Sequence, residues 1–467
     1  MKRFAIIHGE LNTELKKRAL EELSSMLLEY TLEYPVCIKC DTGADLSEYK
    51  CIYVGTKESN SYINKHSQSV LTKDEEYAIT VKDGVAIIEG LDDAGVLYGV
   101  IDFYNEYVVK FEHPDDPNRY CINFLLGDTL PDFEYRSAPS VKERGLWTWG
   151  HVIYDYRGYL SNMMRLKMNR VVIWNDHAPT NAREIVEYAH SVGIKVVWGF
   201  SWLWDTDCAK FNLNDIDRYS EEIFQKYELE YAHLGGDGIY FQTFTELHTD
   251  SIGGVNIAEA ATGFVNRTSA LFFEKYPELE IQFGLHATSV KGSLDKIAAT
   301  DERIRIVWED CGAFPFSYIP NDVKDFDKTM AFVTDIANLR GAVDRFGVVT
   351  KGLVKLDWSE FEHPLGAQMI GVSSAALKKN RIDRKRKIWR YIQASWLANA
   401  DKALLAVQKM CRLKGGELSV LALVEDGMFE ESITFPVALY SEMLWNADGE
   451  IKDMIKAVAM RGYVDFA

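Results

Sequence analysis

The stretch RGLWTWGHVIYDYRGYLSNMMRLKMNRVVIWNDHAPTNAREIVEYAHSVGIKVVWGFSW, residues 144–202, repeats one pattern. A short apolar run (144–151, 169–176, 195–202) ends in aromatic and polar residues, and most are followed by a helical stretch with apolar residues at three- and four-residue spacing. The unit continues at GIYFQTFTE (238–246), EIQFGLHAT (280–288), IRIVWEDC (304–311), GLVKLDW (352–358) and QMIGVSS (368–374). Stretches 182–192, 220–233, 258–276 and 322–346 read as intervening helices. Strands alternating with helices in this number predict a (β/α)8 barrel, a TIM barrel. A doubly wound sheet would carry a glycine-rich phosphate loop after its first strand, and here that strand ends Trp147-Thr148-Trp149-Gly150-His151.

Outward from the barrel, residues 1–135 read as a small α/β domain. FAIIHG, CIKCD and KCIYVGT are strand-like, Leu11 to Tyr30 are helical, and DEEYAITVKDGVAIIEG is a hairpin turning at Lys82-Asp83-Gly84. Asp92 and Asp93 are candidate caps for the helix that follows. The Pro- and Asp-rich segment up to PDFEYRSAPS marks the boundary with a barrel expected over 136–382, and 383–467 read as a helical C-terminal extension. The expected class is therefore α/β: a small N-terminal α/β domain, a (β/α)8 barrel and a helical C-terminal extension.

Composition narrows the function. The 70 Asp+Glu against 52 Lys+Arg give a net charge of −18, which argues against nucleic acid or an anionic membrane as partner. No apolar window is long enough to span a bilayer, and the four-residue run FAII is too short for a signal peptide, so a cytoplasmic protein is expected. The 7 cysteines are an odd, scattered set; Cys37 and Cys40 form one C-x-x-C with no second pair, so buried reduced thiols are expected. The basic run Lys378 to Lys387 reads as a solvated face, with attraction of an anionic sugar as the other reading.

The chemistry is expected where the strands end. Those ends carry Trp149, His151, Trp174, Asn175, Asp176, His177, Trp202, Trp204, Asp205, Thr245, Glu246, His248, His286, Trp308, Glu309, Asp310, Asp357, Trp358, Ser373 and Ser374. Ordinary turns would show Asn, Asp, Gly and Ser; here indoles alternate with carboxylates. Flat indoles stack on the C–H face of a sugar while acids and amides bind its hydroxyls. Glycosidic cleavage needs one protonated carboxyl and a second group across the ring. Glu246 is the candidate acid, and Glu309 or Asp310 the second carboxylate; residues on one strand alternate in direction, so only one of that pair is expected to face the site. Trp149, Asn175, Asp176, Trp202, Trp204, His286, Trp308, Asp357 and Trp358 are candidate substrate contacts. Asp176, His177, His248 and His286 lack metal-ligand spacing, so neither metal nor other cofactor is expected.

The segment DEEYAITVKDGVAIIEGLDDAGVLYGVIDF, with its helix start at Asp93 to Gly99, resembles the small domain preceding the barrel in family 20 hexosaminidases and family 67 alpha-glucuronidases. RGLWTWG, MMRLKMNRVVIWND and YAHSVGIKVVWGFSW resemble the first three barrel strands of the same enzymes. Family 20 carries a His-x-Gly-Gly-Asp-Glu motif at strand four; His233-Leu234-Gly235-Gly236-Asp237-Gly238 resembles it with glycine in place of the acid, but lies before the expected strand. Alpha-glucuronidases carry Ser-Glu at this strand end, and Thr245-Glu246 is similar, which implies Glu246 as the acid.

The combined expectation is an exo-acting glycoside hydrolase taking a small oligosaccharide or glycoside, with the long C-terminal helices offering surfaces for a homo-oligomer. A sugar-binding barrel without catalysis is the alternative, and Gly238 in the acid's place keeps it open. A barrel isomerase or aldolase would need a lysine inside the barrel, for which Lys351 and Lys355 are the candidates, or a phosphate loop near Gly366.

Overall fold

Eight parallel strands close into a barrel in the computed structural model: Glu143–Trp149, Arg170–Trp174, Lys195–Ser201, Gly238–Gln242, Glu280–Leu285, Arg305–Trp308, Phe346–Leu353 and Leu418–Val424. They are numbered one to eight in chain order below. Strand eight pairs back onto strand one from Ser419↔Glu143 to Leu423↔Trp147, which completes the ring. The structure describes residues 2–112, 124–127, 129–149, 153–204, 211–247, 249–286, 290–309, 312–320, 325–341, 344–355, 366–414 and 417–467, without the side chains of 112, 124, 149 and 246.

The strands are apolar along their whole length because both faces are buried, and alternation decides which residues fill the interior. Trp147, Val172, Trp174, Val197, Tyr240, Val307, Val349, Leu421 and Leu423 form one buried cluster inside the ring. The N-terminal end is closed by charge. Arg170 pairs with Glu280 (2.8 Å) and Glu143 (3.1 Å), and Arg305 with Glu143 (2.7 Å). Each of these four residues begins its strand.

The first six strands lie where the apolar runs placed them, with ends trimmed; strands seven and eight do not. The seventh is Phe346–Leu353, ahead of the expected 352–358, and the helix expected over 322–346 is the shorter Phe326–Ala337. QMIGVSS is not a strand: Gly371 has φ +68° and Val372 makes a single bridge to Asp155. The closing strand is LSVLALV at 418–424, inside the segment read as an extension, so the barrel runs past residue 382. That segment is otherwise helical, with a 40-residue helix Ala375–Lys414 interrupted at Asn399, then Phe435–Trp445 and Ile451–Ala459.

Contacts divide the chain into two units: Met1–Pro139 with His190–Gly193 and Lys456–Val464, and Ser140–Ala189 with Ile194–Ile455 and Asp465–Ala467. The first carries a six-stranded sheet ordered β2-β1-β3-β5-β4-β6, formed by β1 (Arg3–His8), β2 (Val36–Lys39), β3 (Tyr49–Gly55), β4 (Tyr77–Lys82), β5 (Val85–Gly90) and β6 (Phe133–Ser137). Strands β4 and β5 are antiparallel across Asp83 (φ 51°) and Gly84 (φ 78°), both left-handed as a two-residue turn requires. The Asp92 side chain accepts the Gly95 N–H at 2.7 Å and caps helix Asp93–Asp102. Cys37 is exposed and Cys40 half-buried, which corrects the expectation of buried thiols there; Cys51 is buried. No described helix is long and apolar enough to cross a membrane.

Candidate active site

Strand six decides the site. Trp308 and Glu309 are neighbours at its end and point opposite ways, as the pleat demands. The Trp308 indole turns outward, edge-on to Phe316 (4.8 Å) and Phe332 (6.1 Å). Glu309 follows the inward Val307 and is fully buried. Space for it comes from strand five, where Gly284 faces inward without a side chain.

Glu309 is the hub of a polar cluster inside the C-terminal end of the barrel. Its Oε1 accepts the Tyr240 hydroxyl (2.9 Å) and the Gln242 amide N–H (2.5 Å). Its Oε2 faces His286 Nε2 at 3.5 Å and Lys351 Nζ at 3.8 Å. Lys351 also lies over the Tyr318 ring at 4.8 Å. Burial alone would push the Glu309 carboxyl up, but His286, Lys351 and the Gln242 amide outweigh it and hold the group below the ordinary carboxylate range. Glu309 is therefore ionised. Burial and the adjacent Glu309 charge push the Tyr240 phenol far up, so it remains a hydrogen-bond donor.

Strand eight brings an acidic pair to the same end of the barrel. Glu425 is buried directly past the strand; Lys385 reaches it at 2.8 Å and Asp426 at 3.1 Å, and the Tyr154 hydroxyl donates to Asp426 at 2.7 Å. Burial pushes the Glu425 carboxyl up despite Lys385, whereas Tyr154 and Lys385 overcome burial at Asp426 and hold it down. The two are driven apart as a proton donor and an anion are. Lys385 belongs to the basic run and is not purely solvated; Lys378 likewise reaches Asp155, at 3.3 Å.

The expected site residues separate clearly. Glu309 and His286 come together, and Trp174, a member of the interior cluster, packs edge-on at 6.4 Å to the half-buried Trp204, which lies against that cluster. Asn175 is buried just past strand two, its backbone N–H bonded to Gly199, and Asp176 is half-buried, its carbonyl accepting Lys226. Trp202 and Trp308 are not sugar-facing. Trp202 stacks on Phe241 at 3.8 Å and on Phe272 at 5.4 Å, on the outer face of the wall. Glu246 does not end strand four, which stops at Gln242; it ends the short 3-10 turn Phe244–Glu246, and its side chain lies outside the described residues. Trp149 ends strand one, its side chain likewise outside, and Asp310, Asp357 and Trp358 fall wholly outside. Asp237 precedes strand four and caps its other end, taking the Val196 N–H at 2.8 Å, so the family 20-like motif is not at the site.

Tyr240 and Gln242 were not among the sequence candidates, and Lys351 was one only as the lysine of an isomerase or aldolase. Period-two counting inward from Glu309 to neighbouring strands would have found the first two. Among the described residues no group of His, Cys, Asp and Glu is arranged to hold a metal ion. Lys351 does lie inside the barrel, as an aldolase would require, but its ammonium faces Glu309 and Tyr318.

No protein-family model matches the sequence, and no curated protein is similar to it in sequence. Solved structures are similar in fold. A GH138 enzyme targeting pectin rhamnogalacturonan II superposes with a TM-score of 0.55 at 13% identity over 97% of this chain and 65% of its own. A GH115 4-O-methyl-alpha-glucuronidase with specificity for decorated arabinogalactans, BtGH115A, gives 0.53 at 14% identity over 99% and 59%. CpGH84B gives 0.55 at 15% over 97% and 70%. The chain thus spans less than two thirds of the first two proteins. It shares the barrel architecture of glycoside hydrolases.

Proposed function

We propose that the chain is a glycoside hydrolase that releases a terminal sugar by carboxyl acid/base chemistry. The observation that supports it most is the ionised, fully buried Glu309 at the C-terminal end of the barrel, with Tyr240, Gln242, His286 and Lys351 gathered on it. A buried ion pair is a poor source of stability, so such a cluster at this end of a barrel points to chemistry. Glu246 protonates the glycosidic oxygen, and the Glu309–Asp310 pair supplies the carboxylate on the opposite face. Trp149 and Trp204 give the sugar its stacking surface, with Asn175, Asp176, His286, Asp357 and Trp358 around it.

A panel of nitrophenyl glycosides, with proton NMR of the first-formed anomer, tests this. Glu246→Gln lowers kcat by about 100- to 10,000-fold, as loss of general acid assistance does, and less on a good leaving group. Unchanged turnover in that variant removes Glu246 from the mechanism. Thermal stabilisation by a sugar with no product from any glycoside would favour the binding barrel instead.

A further inference from the structure

We propose that the first half of helix Ala375–Lys414 is a docking surface for an anionic oligosaccharide, carboxylated or sulfated, that trails from the sugar held in the barrel. This rests on the glycosidase reading and names the substrate class. Lys378, Arg381, Arg384, Lys387 and Arg390 follow one another at three-residue spacing, so they form one slanted row on the helix. The row rises about 18 Å along the axis. Its start is fixed at the C-terminal end of the barrel. Lys378 reaches Asp155, past strand one, at 3.3 Å, and Lys385, beside the row, reaches Glu425 and Asp426, past strand eight. From there the row turns outward: Arg381, Arg384, Lys387 and Arg390 are exposed, and none of the four makes an ion pair among the described residues. Arg386, exposed beside them, pairs with Asp383 at 3.3 Å.

Folding alone does not account for the row. Residues 378–387 hold seven cations and one acid in a chain of net charge −18. Cations three residues apart on a helix are neighbours and repel one another. The first turn holds no acid, although a helix N-terminus favours one. Elsewhere an exposed arginine is neutralised on its own helix: Arg218 reaches Asp215 at 3.2 Å and Glu222 at 2.7 Å. The helix is anchored by its other face, where Ile382, Trp389, Ile392 and Trp396 are buried. The exposed row therefore adds repulsion and no internal contact, and an anionic partner removes that repulsion. Val372, bridged to Asp155, and Leu377 stand exposed at its start and can take the C–H face of a sugar ring. A long nucleic acid would meet the field of a strongly acidic protein beyond this narrow row.

Cellohexaose, its C6-carboxylate form and its C6-sulfate form, each titrated calorimetrically into the whole chain, test this on one backbone. At least one anionic form binds about 10-fold or more tightly than the neutral glucan, and its affinity falls as salt rises. Which of the two does so tells carboxylate from sulfate. The triple variant Arg384→Gln, Lys387→Gln, Arg390→Gln loses that preference and the salt dependence. It keeps wild-type kcat/KM on a neutral nitrophenyl glycoside and melts no lower than wild type, since it sheds only repulsion. Equal affinity of the wild type for all three hexasaccharides overturns the proposal, a comparison that needs no variant to fold. A triple variant that still prefers the anion overturns it as well. So does a hexadeoxynucleotide that binds more tightly than either anionic glucan and is lost in the triple variant, which would assign the row to nucleic acid. A protein inactive on every glycoside defeats the glycosidase reading, while the titrations still decide whether the row holds an anionic sugar.

Discussion

Gly284 and Glu309 share one space: a Cβ on Gly284 would lie 2.4 Å from Glu309 Oε1 and 2.5 Å from the Tyr240 hydroxyl. Neither atom can retreat easily, since both are buried inside the ring and bonded to each other. Gly284→Ala should therefore push the carboxylate off its donors. The expected cost is that of overpacking, about 1–3 kcal/mol in a denaturant titration. Activity should fall further than that loss explains, because the displaced group is the hub of the cluster. An alanine variant with wild-type stability and kcat/KM would mean that the Glu309 arrangement is looser than these distances imply.

At the opposite end of the barrel, acid stability should depend on Glu280. Burial would raise its carboxyl, but Arg170 and Arg305, with the Gln282 amide, bring it down to about 2. The unfolded chain takes up that proton near 4.5, the folded protein only near 2. Its contribution is present above pH 4.5 and disappears as pH falls through 2, and is on the order of 3 kcal/mol. Glu280→Gln should show a shallower loss of stability over that acid range. At pH 7 it should be less stable by about 3–5 kcal/mol, since two buried guanidiniums lose a partner. Urea unfolding at several pH values reads both.

Glu430 has the opposite sign. Burial, aided by the Asp155 carboxylate, pushes its carboxyl up to about 8 although the Tyr154 N–H bonds to it. Folded, it keeps a proton that the unfolded chain releases from about 4.5 upward. Stability should fall as pH rises from 4.5 to 8. A glutamine retains the acceptor for Tyr154 and cannot ionise. Glu430→Gln should match wild type at pH 4 and exceed it increasingly toward pH 8. Parallel melting curves for the two proteins would show this widening gap, or its absence.

How far the sequence carried the reading follows from what each element shows along the chain. Strands one to six are apolar and bounded by turn residues, so they were legible. Strand seven holds Lys351 and two glycines, which break the run; the lysine is tolerated only because Glu309 waits across the interior, a fact of tertiary structure. LSVLALV was passed over because leucine and alanine are strong helix formers and long helices flank it; barrel closure overrides that preference. At the site, the residue types at strand ends were visible but their directions were not. Trp308 and Glu309 are adjacent, and only the structure says which of the two looks inward.

Trp202 and Trp204 offer the cleanest test of direction, being two residues apart with different surroundings. Trp202 is 0% exposed in a stack with Phe241 and Phe272. Its truncation leaves a cavity in the wall, and Trp202→Ala should cost about 3–5 kcal/mol. Trp204 is half-buried and edge-on to Trp174 beside the interior cluster. Trp204→Ala should cost clearly less stability, because part of its surface already faces water. If a sugar stacks there, KM for an aryl glycoside should rise several-fold in Trp204→Ala, while Trp202→Ala, measured well below its melting temperature, keeps KM near wild type. Denaturant unfolding and initial rates on the same two preparations separate the roles, and a KM change in Trp202→Ala alone would reverse the assignment.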